Sequence, residues 1–157
     1  MSIMITKLCP HITATAVDLA SVTSIAEKIV FEEGAAERVK VVAADAVKGP
    51  LPGTYDAAVL KAVLQVLSAQ DARRAIQNVY DVLNPGGKLF IIGQVLDDSR
   101  LSPLDAVGFN LAFINFFDCG ESYTDSEHRD WLTAAGFVDI ERSRLSDAGS
   151  LMTARKP

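Results

Sequence analysis

The first sixty residues alternate between apolar patterns typical of strands and one pattern typical of a helix. β-Branched and small residues fill 12–17 and 39–44, and a third apolar run covers 55–60. Between the first two runs, five apolar residues recur at helical spacing: Val22, Ile25, Ala26, Ile29 and Val30. Gly34 follows where a helix commonly ends. The pattern predicts strand, helix, strand, loop and strand.

The next segment predicts a helix, a two-glycine turn and a buried strand. Ser68 is a typical helix cap, and the residues after it form one apolar face. That face comprises Ala72, Ile76, Val79, Tyr80 and Leu83. Asn-Pro-Gly-Gly at 84–87 must end the helix, because proline cannot continue it and glycine accepts positive φ. The four apolar residues at 89–92 then suit a strand buried on both faces, as in a parallel sheet.

The last third of the chain begins with a helix that has no polar face. Residues 104–117 are apolar nearly all round, so this helix is predicted to be buried or to cover a ligand pocket or a partner. A capping box, Thr124 with Glu127, then opens another helix, and Gly136 ends it. His128 lies among charged neighbours in its first turn, and we expect this side chain on the solvated surface.

The chain closes with two short strands. Val138 and Ile140 alternate with charged residues up to Arg142, which predicts a half-exposed strand. A second strand at 151–154 follows a turn at 147–149, so the two strands must be antiparallel if they pair. Strands alternating with helices before this hairpin predict one α/β domain with a mostly parallel sheet.

Composition limits the classes of function. The chain has 157 residues, 49% of them hydrophobic and 22% charged, which is typical of a single globular domain. A net charge of −5 argues against nucleic acid as a partner. Cys9 and Cys119 form neither a disulfide framework nor a metal motif, and no membrane span or signal peptide is evident. We therefore expect a cytoplasmic protein without a metal site.

The predicted strand ends carry the candidate chemistry. Ligands of an open α/β sheet bind beyond the carboxyl ends of its strands, which here carry Asp18, Asp45, Lys61 and Gly93. An acid in such a position can accept hydrogen bonds from ribose hydroxyls. Polar residues also follow strands for no functional reason, because loops are usually polar. Two consecutive acids with a lysine favour a nucleotide site modestly.

Six ordered motifs between about residue 8 and residue 155 resemble one family. They are Ala-Val-Asp-Leu-Ala (16–20), Val-Val-Ala-Ala-Asp (41–45), Leu-Lys-Ala-Val-Leu-Gln (60–65), Leu-Asn-Pro-Gly-Gly-Lys-Leu (83–89), Val-Leu-Asp-Asp-Ser-Arg (95–100), and Glu-Ser-Tyr-Thr with Trp-Leu-Thr-Ala-Ala-Gly-Phe (121–124, 131–137). Together they resemble the catalytic domain of S-adenosylmethionine-dependent methyltransferases. More narrowly, they are similar to bacterial small-molecule O-methyltransferases related to the hydroxyindole and plant phenolic enzymes.

This resemblance implies a Rossmann-like methyltransferase sheet with an antiparallel C-terminal hairpin. The sequence departs from it by lacking the family's first strand and the glycine-rich loop after that strand. By resemblance, Asp18 and Leu19 would bind the cofactor, and Asp18 would hold its ribose. Asp45 and Ala46 would lie by the adenine, and Lys61 would lie near the methionine part.

The resemblance also implies an acceptor pocket but no acid–base residue. The segment 109–117 would line the pocket, with Phe109, Asn110, Phe113 and Gln65 among its residues. Gln65 stands where many relatives have a histidine base, and a neutral amide cannot take a proton. Gly93 stands where plant relatives have a glutamate. The catalytic residues are therefore unknown from the sequence.

Three functions compete at this stage. The leading hypothesis is a truncated methyltransferase-like domain over 1–157 that methylates a hydroxyl of a small aromatic or polyketide-like molecule. The alternative is a non-catalytic remnant that acts as an interaction or dimerisation module. A nicotinamide dinucleotide-binding protein would need a Gly-x-Gly-x-x-Gly turn, which the sequence lacks.

The absent strand also predicts self-association. In the family that strand lies in mid-sheet, so its loss would expose two edges with unpaired backbone groups. We expect a homodimer or a strand-exchanged oligomer, and the apolar segment 104–117 supports that expectation.

Overall fold

A computed structural model of the chain describes residues 1–116, 118–146 and 149–157. These residues form two compact units, 1–51 and 52–157, and each is described by itself. Phe117 of the predicted apolar segment lies outside the described residues. So do Asp147 and Ala148 of the predicted hairpin turn.

The 1–51 unit contains a parallel pair of strands with one helix before them and one between them. Its elements are α1 (Ser2–Leu8), β1 (Ala14–Asp18), α2 (Ala20–Glu32) and β2 (Val39–Ala43). Asp18 lies opposite Ala43 in the register of β1 and β2, so the two strands end together. Both predicted strands and the predicted helix are confirmed, and Gly34 follows α2 with a φ of +63°.

The apolar face of α2 is only partly buried. Val30 is 7% exposed and packs with Ala35 and Val39 in the core of this unit. Ile25 is 60% exposed, and Val22 and Ile29 are exposed as well, so most of this apolar face is not covered. Helical spacing identified an apolar face, but only one side of that face has a partner in this small core.

The 52–157 unit contains a four-stranded mixed sheet. Its elements are β3 (Tyr55–Lys61), a 3₁₀ helix (Leu64–Val66), α3 (Ala69–Val82), β4 (Leu83–Gly93), α4 (Leu104–Phe116), α5 (Asp125–Ala135), β5 (Val138–Ser146) and β6 (Gly149–Arg155). The strand order is β3-β4-β6-β5. β3 pairs with β4 in parallel, whereas β6 is antiparallel to both β4 and β5. The predicted α/β class with an antiparallel C-terminal hairpin is confirmed.

The Pro-Gly-Gly turn is a bulge at the start of β4. Tyr55 pairs with Leu83 but Ala57 pairs with Lys88, so the residues between Leu83 and Lys88 project from the ladder. Gly86 has a φ of +78°, and its N–H donates to the carbonyl of Lys156 at 2.9 Å. The N–H of Lys156 donates in turn to the carbonyl of Gly87 at 2.9 Å. The turn therefore also binds the end of the chain.

A buried arginine anchors the loop that follows β4. The Arg142 side chain is only 13% exposed, although the sequence predicts it among the charged positions of a half-exposed strand. Its guanidinium donates to the carbonyl of Val95 at 2.7 Å and to Asp97 Oδ1 at 2.9 Å. The Ser102 hydroxyl also donates to Asp97, and together these bonds lower the pKa of the Asp97 carboxyl. The start of α4 is thereby fixed beside β5.

The helix α4 buries one side and exposes the other. Ala106 and Phe113 are buried, whereas Leu104 and Phe116 are about four-fifths exposed. The prediction that an all-apolar helix is buried or covers something is thus met on one side only. Its exposed side is an apolar surface.

The helix α5 has the predicted caps but an unexpected inner residue. Thr124 Oγ accepts the N–H of Glu127 at 3.2 Å, and the Glu127 carboxylate accepts the N–H of Thr124 at 2.7 Å. Gly136 ends the helix with a φ of +99°. His128 is 3% exposed, so the expectation of a solvated surface residue is wrong. It packs against the Trp131 ring because helical spacing puts it on the same buried face as Trp131 and Leu132.

A membrane-spanning helix, a metal-binding cluster and a disulfide bond are each missing from the described ranges. No helix there is long and apolar enough to cross a bilayer. No group of three or more histidine, cysteine or acidic side chains there could hold a metal ion. Cys9 and Cys119 are free thiols.

We predict that His128 makes the fold acid-sensitive. Burial lowers its pKa below the ordinary value of 6.5, and Nδ1–H donates to the Thr124 carbonyl at 2.8 Å. Below about pH 6.5 the unfolded chain therefore binds a proton that the folded chain excludes, and stability falls with pH. One proton corresponds to at most about 1.4 kcal/mol per pH unit.

Urea unfolding across this pH range measures the effect. His128→Phe should remove this component of the acid dependence, whereas His11→Gln, at an exposed position, should retain it. An unchanged slope in His128→Phe would contradict the prediction.

Candidate functional site

Asp18 presents a carboxylate at the carboxyl end of β1. The N–H of Ala44 donates to the Asp18 carbonyl at 2.9 Å, which ties the ends of β1 and β2 together. The N–H of Leu19 donates to Asp18 Oδ1 at 2.8 Å. Leu19 is half exposed and immediately precedes α2. The Asp18 side chain is exposed and has capacity to accept further hydrogen bonds.

Asp45 lies two residues beyond β2 and closes its own turn. Its Oδ1 accepts the N–H groups of Val47 at 2.9 Å and Lys48 at 3.3 Å. The Lys48 ammonium lies 3.5 Å from Oδ2. These contacts, the Val47 bond foremost, lower the pKa of the Asp45 carboxyl. Ala46 is part of the same turn, so one carboxylate oxygen of Asp45 is already used in shaping the loop.

Lys61 ends β3 next to a strained residue. Lys61 lies opposite Ile92 of β4, and the N–H of Ala62 donates to the Ile92 carbonyl at 2.8 Å. Ala62 has a φ of +56°, a left-handed conformation that costs a non-glycine residue about 1–2 kcal/mol. Within the described part of the 52–157 unit, no hydrogen bond or ion pair reaches the Lys61 ammonium.

A cavity of about 250 Å³ lies at the carboxyl ends of β3 and β4, and we call it the Gln65 cavity. It brings together three residues that the sequence predicts for the cofactor or the acceptor: Lys61, Gln65 and Phe109. The rest of its described lining consists of Ala62, Ile92, Gly93, Gln94, Leu145 and Gly149. The lining is mainly apolar with a few polar groups, as is typical of small-molecule sites.

Gln65 is held in one orientation by β4. Its side-chain Oε1 accepts the N–H of Gln94 at 3.0 Å. A Cβ atom at Gly93 would lie 2.7 Å from that oxygen, so a side chain at 93 would displace the carboxamide. Because a backbone N–H occupies the oxygen, the NH₂ group is the end of the carboxamide left for a ligand.

The other two predicted pocket residues, Phe113 and Asn110, hold neighbouring parts of the structure in place. Phe113 is buried and packs edge-to-face on Phe109, with ring centroids 5.2 Å apart. Asn110 Oδ1 accepts the N–H of Ser122 at 2.6 Å, which anchors α4 to the loop before α5. Neither side chain is on the described lining of the Gln65 cavity.

A second cavity of about 450 Å³ adjoins the first, and we call it the Arg144 cavity. The two share Gln94, Leu145 and Gly149. Its other lining residues are Pro103, Asp105, Arg144 and Ser150, and the sequence indicated none of them for a site. Antiparallel pairing of Gly93 with Ser150 brings the hairpin beside the end of β4. No local sequence signal reveals that register.

No general base is present on the described lining of the Gln65 cavity. Lys61 is its one ionisable side chain in the described ranges. The single buried histidine among those ranges, His128, packs against Tyr123 and Trp131 and is on neither lining.

The O-methyltransferase domain family model matches residues 2–138. Among curated proteins, the chain is similar to 3-hydroxy-5-methyl-1-naphthoate 3-O-methyltransferase of Streptomyces sahachiroi. The two are 30% identical over 147 residues, which cover 92% of this chain and 42% of that protein. It is also similar to the tetracenomycin polyketide synthesis 8-O-methyl transferase TcmO of Streptomyces glaucescens. The identity is 26% over 148 residues, which cover 94% of this chain and 43% of that protein.

The fold agrees with solved methyltransferase structures. The S-adenosylmethionine-dependent methyltransferase SibL in its apo form superposes with a TM-score of 0.89 at 24% identity. That match covers 99% of this chain and 46% of SibL. The chain thus spans less than half the length of these relatives. Because the family model matches most of its residues, the chain belongs to the O-methyltransferase domain family.

Proposed function

We propose that this chain carries the cofactor and acceptor sites of an S-adenosylmethionine-dependent O-methyltransferase. The acceptor is a hydroxyl of a small aromatic or polyketide-like molecule. The observation that carries the proposal is the Gln65 cavity, where Lys61, Gln65 and Phe109 meet at the carboxyl ends of β3 and β4. An aromatic wall with few polar groups suits a flat, ring-containing acceptor. The naphthoate and tetracenomycin named for its relatives agree with that class.

The strand-end acids of the 1–51 unit suit the adenosine part of the cofactor. We assign Asp18 to the ribose hydroxyls, because its carboxylate is exposed and keeps acceptor capacity beyond its bond to Leu19. Asp45 and Ala46 are assigned to the adenine. In the 52–157 unit, Lys61 is assigned to the methionine part. When bound, the cofactor supplies an electrophilic methyl group.

The chain's own residues contribute orientation rather than proton transfer. Phe109, supported by Phe113, provides an apolar wall for the acceptor, and Gln65 donates from its NH₂ group. Holding two reactants in a productive arrangement can supply a large part of a rate enhancement. A reactive acceptor can therefore be methylated without a base.

We further propose a single methyltransferase-like domain over 1–157 that works in the cytoplasm. The two free thiols support a reducing compartment.

Self-association is proposed from the edge of the larger sheet. Among the described residues, β3 pairs with β4 alone, so its other edge carries unpaired backbone groups. Ala57, Ala58 and Val59 give this edge strand no protecting charge at its centre. The exposed apolar side of α4 adds a second surface suited to self-association. The same features support the alternative of a non-catalytic interaction or dimerisation module.

Titration calorimetry with S-adenosylmethionine tests the cofactor proposal. We expect binding by the full chain and about tenfold weaker binding by Asp18→Asn, because hydrogen bonds to a charged group contribute about 1.5–3 kcal/mol. Glu27→Gln removes another exposed carboxylate of the same unit and should have no effect. If no heat is released at millimolar cofactor, only the interaction-module alternative is left for this chain.

A double-mutant cycle tests the Gln65–Gly93 arrangement. Gly93→Ala should displace the Gln65 carboxamide, leave the Gln94 N–H unsatisfied and lower the free energy of unfolding by about 1 kcal/mol. Gln65→Ala should have a similar effect. The double variant should be no less stable than either single variant, because both remove one interaction. Strict additivity in urea unfolding would show that the two residues do not act together.

Light scattering at micromolar concentration tests self-association. We expect a mass of at least two chains, reduced toward one chain by Ala57→Lys, which adds a charge to the exposed edge strand. Ala36→Lys, at an exposed position of the other unit, should leave the mass unchanged. A wild-type mass of one chain would refute the proposal.

A further inference from the structure

Two side chains on the lining of the Gln65 cavity, Gln65 and Lys61, offer hydrogen-bond donors to a ligand. Gln65 uses its oxygen on the Gln94 N–H and leaves its NH₂ group for a ligand. Lys61 presents an ammonium with no partner in the described part of its unit. Ammonium and amide NH₂ groups have donors only. No carboxylate or imidazole is on the described lining to take a proton from a bound hydroxyl.

We infer that this cavity selects acceptors whose hydroxyl is already ionised, a deepening that rests on the proposed function. The chemical class is an acidic phenol or enol, such as a hydroxyl conjugated to a ring carbonyl. Its ionised oxygen accepts hydrogen bonds from Gln65 Nε2 and Lys61 Nζ. The rest of the ring system lies against Phe109.

Charge explains why the ionised form is preferred to the neutral form. Hydrogen bonds to an ionised oxygen are roughly twice as strong as neutral ones, and the Lys61 ammonium adds attraction at short range. The ionised oxygen also needs no base. It forms the O–CH₃ bond as the S–CH₃ bond of the cofactor breaks, and no proton has to leave.

Gly93 is the constraint that keeps the donor in place. Any side chain at 93 would meet the Gln65 oxygen at 2.7 Å and turn the carboxamide away from β4. Glycine at 93 and glutamine at 65 together therefore keep the NH₂ donor of Gln65 fixed at this point. A carboxylate at either position would repel an ionised oxygen.

Equilibrium titration of the full chain with two probes tests this inference. Lawsone is a hydroxynaphthoquinone that is ionised at neutral pH, and 2-naphthol has a similar ring system with a neutral hydroxyl. Wild type should bind lawsone at least about tenfold more tightly than 2-naphthol. These measurements need no cofactor, so they are independent of methyl transfer.

Two substitutions test which side chains produce the preference for the ionised probe. Gln65→Glu keeps the side-chain shape and an oxygen for the Gln94 N–H but replaces the donor with a carboxylate oxygen, so the preference should disappear. Lys61→Gln should reduce the preference several-fold by removing the charge. Gln70→Glu and Lys88→Gln are matched controls at exposed positions, the latter at the middle of β4 and off the cavity lining, and should behave as wild type.

Four results would overturn the inference, and three of them come from the titrations with the two probes. They are no binding of lawsone at millimolar concentration, equal affinity for both probes, and a preference that survives Gln65→Glu.

A parallel titration with S-adenosylhomocysteine shows whether the anion that Lys61 binds belongs to the acceptor or to the cofactor. If Lys61→Gln weakens that ligand but not the preference for lawsone, the anion is the cofactor's carboxylate and the inference fails. If the cofactor does not bind but the preference holds, the proposed function fails and this inference stands.

Discussion

The strand β4 is hydrogen-bonded along both edges, and the position of the Gln65 cavity depends on this. Its parallel ladder with β3 sets Lys61 opposite Ile92, and its antiparallel ladder with β6 sets Gly93 opposite Ser150. Both ladders finish at the same end of β4, so residues far apart in the chain converge there. The left-handed Ala62 then turns the chain from Lys61 toward Gln65. A slip in either register would separate these residues.

The remaining wall of the cavity depends on a buried charge. Arg142 binds the carbonyls and the carboxylate of the loop after β4, which fixes where α4 begins. Removing the guanidinium would leave the Val95 carbonyl without this donor and would leave Asp97, whose side chain is 39% exposed, without its ion pair to Arg142. The site is thus positioned by backbone ladders on two sides and by one guanidinium on the third. Phe109 reaches the cavity only because α4 is held there.

The order of elements and most strand ends could be predicted from the sequence, because they follow local periodicity and turn chemistry. Ser68, the Thr124–Glu127 box and Gly136 are local signals, and each has its predicted role. Burial was predicted less well. His128 was placed on the solvated surface because neighbouring charges in the sequence do not reveal which face of a helix the fold covers. The Arg144 cavity could not be predicted, since it arises from pairing between residues more than fifty positions apart.

Transfer of an isotopic label shows whether the Gln65 cavity holds an acceptor for methylation. The full chain is incubated with lawsone and S-adenosylmethionine labelled in its methyl group, and the products are measured by mass spectrometry. We expect labelled methyl ether and S-adenosylhomocysteine in equal amounts, with little product from Gln65→Glu. Bound cofactor and bound lawsone without labelled ether above a protein-free control would contradict it.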